Sequence, residues 1–140
     1  MEQFTEFVGN NFTLFLVLAV IIGLLTHNLM SGFDRSIIVP ARATELINRE
    51  EAVVVDTSAM ADFAKGHIIN AINIPFNGFK DQINQLQKHK QAPVIIVDRT
   101  GTTSGSICKM LKADGFEQVY QIKGGLGAWR SANLPVSKKA

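Results

Sequence analysis

The feature that most restricts the fold of this chain is an apolar block near its N-terminus. Residues 12–25 read FTLFLVLAVIIGLL, and Thr13 is the only polar residue among them. A helix needs roughly 17–25 residues to cross a bilayer core of about 30 Å. Residues 7–30 supply that length, with Asn10, Asn11 and Asn28 near the interfaces. The sequence therefore predicts a transmembrane anchor within residues 1–30 that contacts the membrane through residues 7–30.

Two other interpretations of this block fit the sequence less well. A buried core helix would carry polar residues on one face, whereas this block is apolar all round. A cleaved signal peptide needs a positive N-terminal region and a small-residue cleavage site, but Glu2 and Glu6 are acidic and no A-x-A follows. All 14 Lys and Arg residues lie after position 34, which favours a cytoplasmic C-terminal side. We expect a single-pass protein of a bacterial inner membrane, with its N-terminus outside and its folded domain in the cytoplasm.

The composition of the chain excludes several functional classes. With 46% hydrophobic and 19% charged residues, the 140-residue chain suits one folded domain and a short appendage. A single cysteine, Cys108, excludes a disulfide within the chain and a multi-cysteine zinc site. Three scattered histidines make no metal site, and a net charge of +2 without a basic stripe does not suit nucleic acid. We therefore expect no metal, no cofactor and no nucleic-acid partner.

Beyond a linker over residues 31–37, short apolar runs alternate with stretches of helical periodicity. The apolar runs predict five strands, the first at a sheet edge: Ser36–Val39, Ala52–Asp56, Ala71–Ile74, Val94–Val97 and Gln118–Ile122. The intervening stretches predict five helices: Ala41–Arg49, Ala59–Lys65, Phe79–Lys88, Ser104–Ala113 and Gly125–Ala132. Such alternation is typical of a parallel sheet covered on both faces. The sequence thus predicts one α/β domain over residues 38–136, with a mostly parallel five-stranded sheet flanked by helices, and a tail over 137–140.

Two polar segments follow the buried strands of this predicted sheet. In open parallel sheets, ligands bind beyond the carboxyl ends of the strands, which here are followed by Asp56-Thr57-Ser58 and by Asp98–Ser104. The second segment leaves a strand and enters a helix, so its backbone N–H groups can surround an anion with help from the helix dipole. Gly101 permits the positive φ that such a tight path requires.

Three blocks of the chain share a recognisable order and spacing. Val53–Pro75 carries a strand-end Asp followed by Phe, Gly-His-Ile and Ala-Ile-Asn-Ile-Pro, 94–116 carries the loop and its helix, and 122–135 carries Gly-Gly, Trp and Pro. Together they resemble the rhodanese-homology family over about residues 38–135. With the anchor, the whole chain is similar to the membrane-anchored, YibN-type branch of that family. The resemblance implies the family's α/β fold and a site built for sulfur transfer through a cysteine persulfide.

The loop departs from the family pattern at three positions. The family's nucleophilic cysteine falls on Asp98, its loop arginine on Thr103, and the arginine after the first strand on Ser58. A carboxylate cannot accept sulfane sulfur, and loss of both arginines weakens the attraction for thiosulfate or a phosphate-like anion. The resemblance therefore implies a degenerate active-site loop without a catalytic residue: Asp98, Arg99, Thr100, Gly101, Thr102, Thr103 and Ser104.

The remaining candidate residues have structural interpretations. Asp98 either accepts N–H bonds from its own loop, filling the anion cradle, or faces solvent in a vestigial site. Cys108 lies one turn into the following helix and is expected to be a small core residue rather than a replacement nucleophile. His67 and Asp56 are expected to order backbone and loop groups by hydrogen bonds. We expect Trp129 to cap the core beneath Gly124-Gly125, whose small size allows close backbone approach.

These features lead to one leading hypothesis and two alternatives. The leading hypothesis is a non-catalytic, membrane-tethered module for protein interaction or regulation at the cytoplasmic face, whose partners are membrane or cytoplasmic proteins. The first alternative is a sulfurtransferase or sulfur carrier that uses Cys108 or the thiol of a partner. The second is a small-anion sensor, for which the backbone of the cradle is suitable but the charge of Asp98 is repulsive.

Overall fold

A computed structural model of the chain describes residues 1–32 and 35–138. The chain forms two compact units, Met1–Asp34 and Arg35–Ala140. The first unit contains helix α1 (Glu2–Asn10) and helix α2 (Phe12–Gly32). Asn11 lies between them, and its Nδ2 atom donates a hydrogen bond of 2.9 Å to the carbonyl oxygen of Phe7.

Helix α2 is long and apolar enough to cross a membrane over Phe12–Met30, by length and composition, and its apolar side chains are exposed rather than packed in a core. The predicted anchor began at residue 7, whereas this helix begins only after Asn11. The edge contact between the rings of Phe7 and Phe15, with centroids 6.1 Å apart, links α1 to α2.

The second unit is built on a parallel five-stranded sheet. Its strands are β1 (Ile37–Ile38), β2 (Val53–Asp56), β4 (Ile72–Asn73), β5 (Val94–Val97) and β6 (Val119–Ile122). Their order is β1-β6-β5-β2-β4, and every adjacent pair is parallel. The central strand β5 is buried at all four residues, as its continuous apolar sequence requires. The predicted α/β class, with a five-stranded sheet and an edge position for β1, is confirmed.

Helices cover both faces of this sheet and create two apolar cores. They are α3 (Pro40–Glu50), α4 (Met60–Ala64), α5 (Phe79–Gln82) with a 3₁₀ helix over Ile83–His89, α6 (Ser104–Ala113) and α7 (Gly125–Ser131). Helix α6 contributes Ile107 and Leu111 to one core. On the opposite face, α3 contributes Leu46 and α7 contributes Trp129 to the other core.

The structure differs from the prediction in two main features. A second, antiparallel sheet, which the sequence analysis did not predict, pairs β3 (His67–Ile68) with β7 (Val136–Ser137). The predicted helix Phe79–Lys88 changes to 3₁₀ geometry at Ile83, because three apolar residues spaced three or four apart suit both helix types over so short a stretch.

Candidate functional site

The candidate site forms where strands β2 and β5 end side by side. Asp56 is opposite Val97 in the parallel register, so the residues that follow the two strands leave the sheet together. The amide of Thr57 donates a hydrogen bond of 2.9 Å to the carbonyl oxygen of Val97, which holds the two segments in contact. This edge is the carboxyl end of the parallel sheet, where ligands bind in open α/β folds.

Asp98 lies at the centre of this edge, and its own loop satisfies its carboxylate. Its side chain accepts a hydrogen bond from the amide of Gly101 at Oδ1. At Oδ2 it accepts two bonds from Thr103, one from the amide at 2.7 Å and one from the hydroxyl at 2.8 Å. Asp98 is only 6% exposed. The carboxylate therefore occupies the group of donors that precedes helix α6.

The hydrogen bonds of the loop keep Asp98 ionised. Burial raises the pKa of this carboxyl, but the bonds from the amide and hydroxyl of Thr103 and from the amide of Gly101 together outweigh it. The hydroxyl of Ser104 is buried nearby, and within the described residues it has no hydrogen-bond partner. The net pKa lies below the usual 3.8, so the group is an anion at neutral pH.

The start of α7 closes the loop from the other side. The amide of Leu126 donates a hydrogen bond of 2.7 Å to the carbonyl oxygen of Asp98. Gly125 has a φ of +62°, and a Cβ atom there would overlap the Asp98 carbonyl oxygen and come within 2.8 Å of the Gly101 nitrogen. The close approach expected at Gly124-Gly125 is therefore made to the Asp98 loop, which the sequence did not indicate.

Other residues of the loop are held away from the carboxylate. Arg99 donates a hydrogen bond to the backbone carbonyl of Asp62 in α4, and its Nη2 atom lies 3.9 Å from the carboxylate of that residue. Thr100 and Thr102 are exposed, and their hydroxyl oxygens are 3.0 Å apart. The hydroxyl of Ser58 is buried, and within the described residues it has no hydrogen-bond partner.

The other singled-out residues have clear structural surroundings. Asp56 accepts a hydrogen bond of 2.8 Å from the amide of Ser58. The Nδ1 atom of His67 lies 2.8 Å from the carbonyl oxygen of Phe63, and the two rings stack with centroids 3.7 Å apart. His67 belongs to strand β3. The indole nitrogen of Trp129 donates a bond of 3.0 Å to the carbonyl oxygen of Pro135.

Cys108 lies in the apolar core and not in the loop. It is 3% exposed and packs among buried residues of α6, β5 and β6. Its Sγ atom is 3.7 Å from the carbonyl oxygen of Tyr120. A cysteine buried among apolar side chains behaves as a small hydrophobic core residue. In the described part of the chain, no group of three or more His, Cys, Asp or Glu side chains could hold a metal ion.

Comparison with known proteins agrees with this geometry. The family model of the rhodanese-like domain matches residues 39–132, which include both strand ends and the Asp98 loop. The chain belongs to the rhodanese-like family. Residues 39–132 of this rhodanese-like chain include four of the five strands of the main sheet.

Proteins similar to this rhodanese-like chain include one named as uncharacterized and one named as a thiosulfate sulfurtransferase. Over 139 residues it is 36% identical to the uncharacterized protein YibN of Escherichia coli (strain K12), covering 97% of each chain. Over 102 residues it is 37% identical to thiosulfate sulfurtransferase GlpE of Pseudomonas putida, covering 73% of this chain and 89% of the relative. A crystal structure of a rhodanese-related protein from Thermoplasma volcanium has the same fold, with a TM-score of 0.66 and 22% identity over 73% of this chain and 97% of the other.

Proposed function

We propose that this chain is a membrane-tethered rhodanese-like module that does not transfer sulfur and instead binds or regulates another protein. One observation carries the proposal. At the position where the resemblance implies a cysteine nucleophile, the carboxylate of Asp98 accepts hydrogen bonds from Gly101 and Thr103. Sulfur transfer needs a thiolate that can accept and release sulfane sulfur, and a carboxylate has no such chemistry. The charge of Asp98 also repels thiosulfate and other small anions.

The first unit supports the proposed location. Helix α2 is long and apolar enough to span a bilayer over Phe12–Met30, and all 14 Lys and Arg residues follow it. The positive-inside rule then favours a cytoplasmic rhodanese-like domain and an external N-terminus in a bacterial inner membrane. A module held at this surface meets membrane proteins and cytoplasmic proteins at high effective concentration.

A sulfurtransferase is the second candidate, and the similarity to GlpE favours it. Within this chain, the reaction would need Cys108, the single cysteine of the sequence. Its burial in the core means that helix α6 would have to leave the sheet before the thiol could meet a substrate. A partner that supplies the thiol is the other version of this candidate.

The first experiment measures thiosulfate:cyanide sulfurtransferase activity of the full chain in membranes. We expect the natural protein to match membranes without it, and the Cys108→Ala variant to behave identically. Asp98→Cys tests whether the loop still supports the chemistry, with Asp98→Asn as the control without a thiol. Turnover by the natural protein that disappears in Cys108→Ala would establish the sulfurtransferase and overturn the proposal.

The interaction itself is tested by photo-crosslinking in intact membranes. We expect a reagent at exposed positions of the domain, such as Thr102 in the Asp98 loop, or at Leu18 in α2, to join the chain to discrete protein neighbours. The same adducts should persist in Asp98→Asn if no sulfur chemistry is involved. Adducts with lipid alone from every position would contradict an interaction module.

A further inference from the structure

A surface groove lies next to the Asp98 edge and is separate from the loop. Its floor and walls are formed by α4, by the residues around β4 and by the end of β7, and we name it the apolar groove: Met60, Phe63, Ala71, Asn73, Pro75 and Lys138. It encloses about 520 Å³. Pockets for drug-sized ligands measure roughly 300–1,000 Å³, so one or two large side chains of a partner can enter it.

The floor of the groove is fixed before anything binds. The ring of Phe63 stacks on the buried ring of His67, and the Nδ1 atom of His67 lies 2.8 Å from the Phe63 carbonyl oxygen. Asn73 is held by hydrogen bonds from Nδ2 to the carbonyl oxygens of Asp56 at 3.1 Å and Ser58 at 2.9 Å. A pre-ordered surface loses little conformational entropy when a ligand binds.

The rim of the groove has the opposite character. Met60 is 75% exposed, although it is a large apolar side chain. Methionine is flexible and polarizable, and it is favoured where a surface adapts to different apolar partners. The exposed Met60 and the fixed ring of Phe63 both line the groove, so contact with an inserted apolar side chain is favoured over contact with water.

The charge of the groove selects among apolar partners. Among its described lining residues, Lys138 carries the single charge, and no carboxylate lines the groove. A bound segment would therefore be stabilised by a carboxylate near the Lys138 ammonium and disfavoured by a cation there. A peptide with both an apolar side chain and a carboxylate therefore matches the apolar lining of the groove and the charge of Lys138.

We propose that the apolar groove binds a segment of another protein that inserts a large apolar side chain and places an Asp or Glu beside Lys138. This inference rests on the proposed interaction function and assigns it a surface and a partner chemistry. Asn73 joins the groove to the end of β2 through the carbonyl oxygens of Asp56 and Ser58, so the groove adjoins the edge that carries the Asp98 loop. The partner would thus recognise the rhodanese-like edge without any sulfur chemistry.

The test places a photoreactive amino acid at Met60 in the full chain, in native membranes. Ile69 is the matched control, because it is also an exposed apolar residue, at 48%, and lies outside the groove. The cross-linked residues of each adduct are identified by mass spectrometry. We expect an adduct from position 60, absent from position 69, whose peptide carries an apolar side chain and a carboxylate within a few residues.

Reversing the charge at Lys138 then tests whether a carboxylate of the partner lies beside its ammonium group. Lys138→Glu should lower the yield of that adduct roughly fivefold, since an exposed pair is replaced by a like-charge pair, whereas Lys138→Arg should retain it. Changing the partner's acidic residue to lysine should restore the adduct in Lys138→Glu. A synthetic peptide of the adducted segment should compete, and its carboxamide version should compete less well.

Four outcomes would overturn the proposal that the apolar groove binds such a segment. They are an adduct that Lys138→Glu leaves unchanged, the same adduct from Ile69, an adduct with lipid or a small molecule, and no adduct from Met60. If Met60 gives none while Thr102 or Leu18 gives protein adducts, the interaction function stands and the groove is wrong. If no position gives a protein adduct, the proposed function fails as well.

Discussion

Sulfur transfer requires a thiol and a group of hydrogen-bond donors around it, and in this chain the two lie at positions ten residues apart. The Asp98 loop has the donors, the helix N-terminus and the position at the sheet edge, but it holds a carboxylate. Cys108 has the thiol, but it lies in an apolar core beside the carbonyl oxygen of Tyr120. The loop donors and the thiol thus lie in separate parts of the domain, and the contacts of Asp98 give its loop a structural role.

That structural role is visible in the contacts of the loop. The carboxylate of Asp98 ties together Gly101 and Thr103, and its backbone carbonyl accepts a bond from Leu126 at the start of α7. Cys108, in contrast, contributes mainly volume to the core. The two positions should therefore respond differently to substitution, in size and in dependence on pH.

The largest effect is expected where α7 meets the loop. In Gly125→Ala, the new Cβ atom would overlap the carbonyl oxygen of Asp98, and alanine is strained at a φ of +62°. We expect the free energy of unfolding to fall by about 3 kcal/mol or more, measured by urea denaturation of residues 35–140. Gly127→Ala is the matched control, because its nearest contact would be an ordinary 3.6 Å to the Arg99 carbonyl oxygen. Equal stabilities of the two variants would show that the loop does not depend on this approach.

Asp98→Asn should have the next largest effect. The amide is uncharged, and its NH₂ group faces donors where a carboxylate oxygen accepted bonds from Gly101 or Thr103. We expect a loss of about 2 kcal/mol at pH 7, from weaker hydrogen bonds and one mismatched contact. Asp81→Asn, at an exposed residue of α5, is the control and should be nearly neutral. A neutral Asp98→Asn would mean that the carboxylate does not hold the loop.

The difference in unfolding free energy between the natural domain and Asp98→Asn should also change with pH. This change is smaller than the effects above, and its direction is known. The folded pKa of Asp98 lies below its usual 3.8, so its contribution is present above the unfolded pKa and is lost as pH falls through the folded value. The gap in stability between the natural domain and Asp98→Asn should therefore be constant near neutrality and narrow below about pH 4. Urea denaturation of both proteins at a series of pH values measures it. A gap that widens in acid would mean that the folded pKa of Asp98 is raised.

The smallest effect is expected at Cys108. Replacing it by alanine removes one sulfur atom from a packed core and should lower the free energy of unfolding by about 1 kcal/mol, without changing sulfurtransferase activity. The natural thiol should react with a thiol reagent in denaturant far faster than in the folded protein, because it is buried. Rapid labelling under native conditions would make Cys108 accessible and reopen the sulfurtransferase candidate.

Prediction from sequence succeeded where a short segment had a clear pattern of apolar residues. Strand β5 is a run of four apolar residues, and its burial on both faces follows from that pattern. Helix α6 was predicted with its bounds because the loop ends at Ser104 and apolar residues then recur at helical spacing. That Asp98 stands at the family's cysteine position stays a prediction from the resemblance. None of these required knowledge of distant contacts.

The remaining features depended on residues far apart in the chain. Strands β3 and β7 have two residues each, too few for a period, and they form only because His67 and Ser137 meet across the fold. The approach of Gly125 to Asp98 and the groove between α4 and Lys138 likewise join separate segments. The apolar helix and the parallel α/β class could be predicted from the sequence, because each depends on the local pattern of apolar residues. The donors that reach the Asp98 carboxylate and the surfaces that stay open could be found only in the folded domain, because they depend on packing between distant segments.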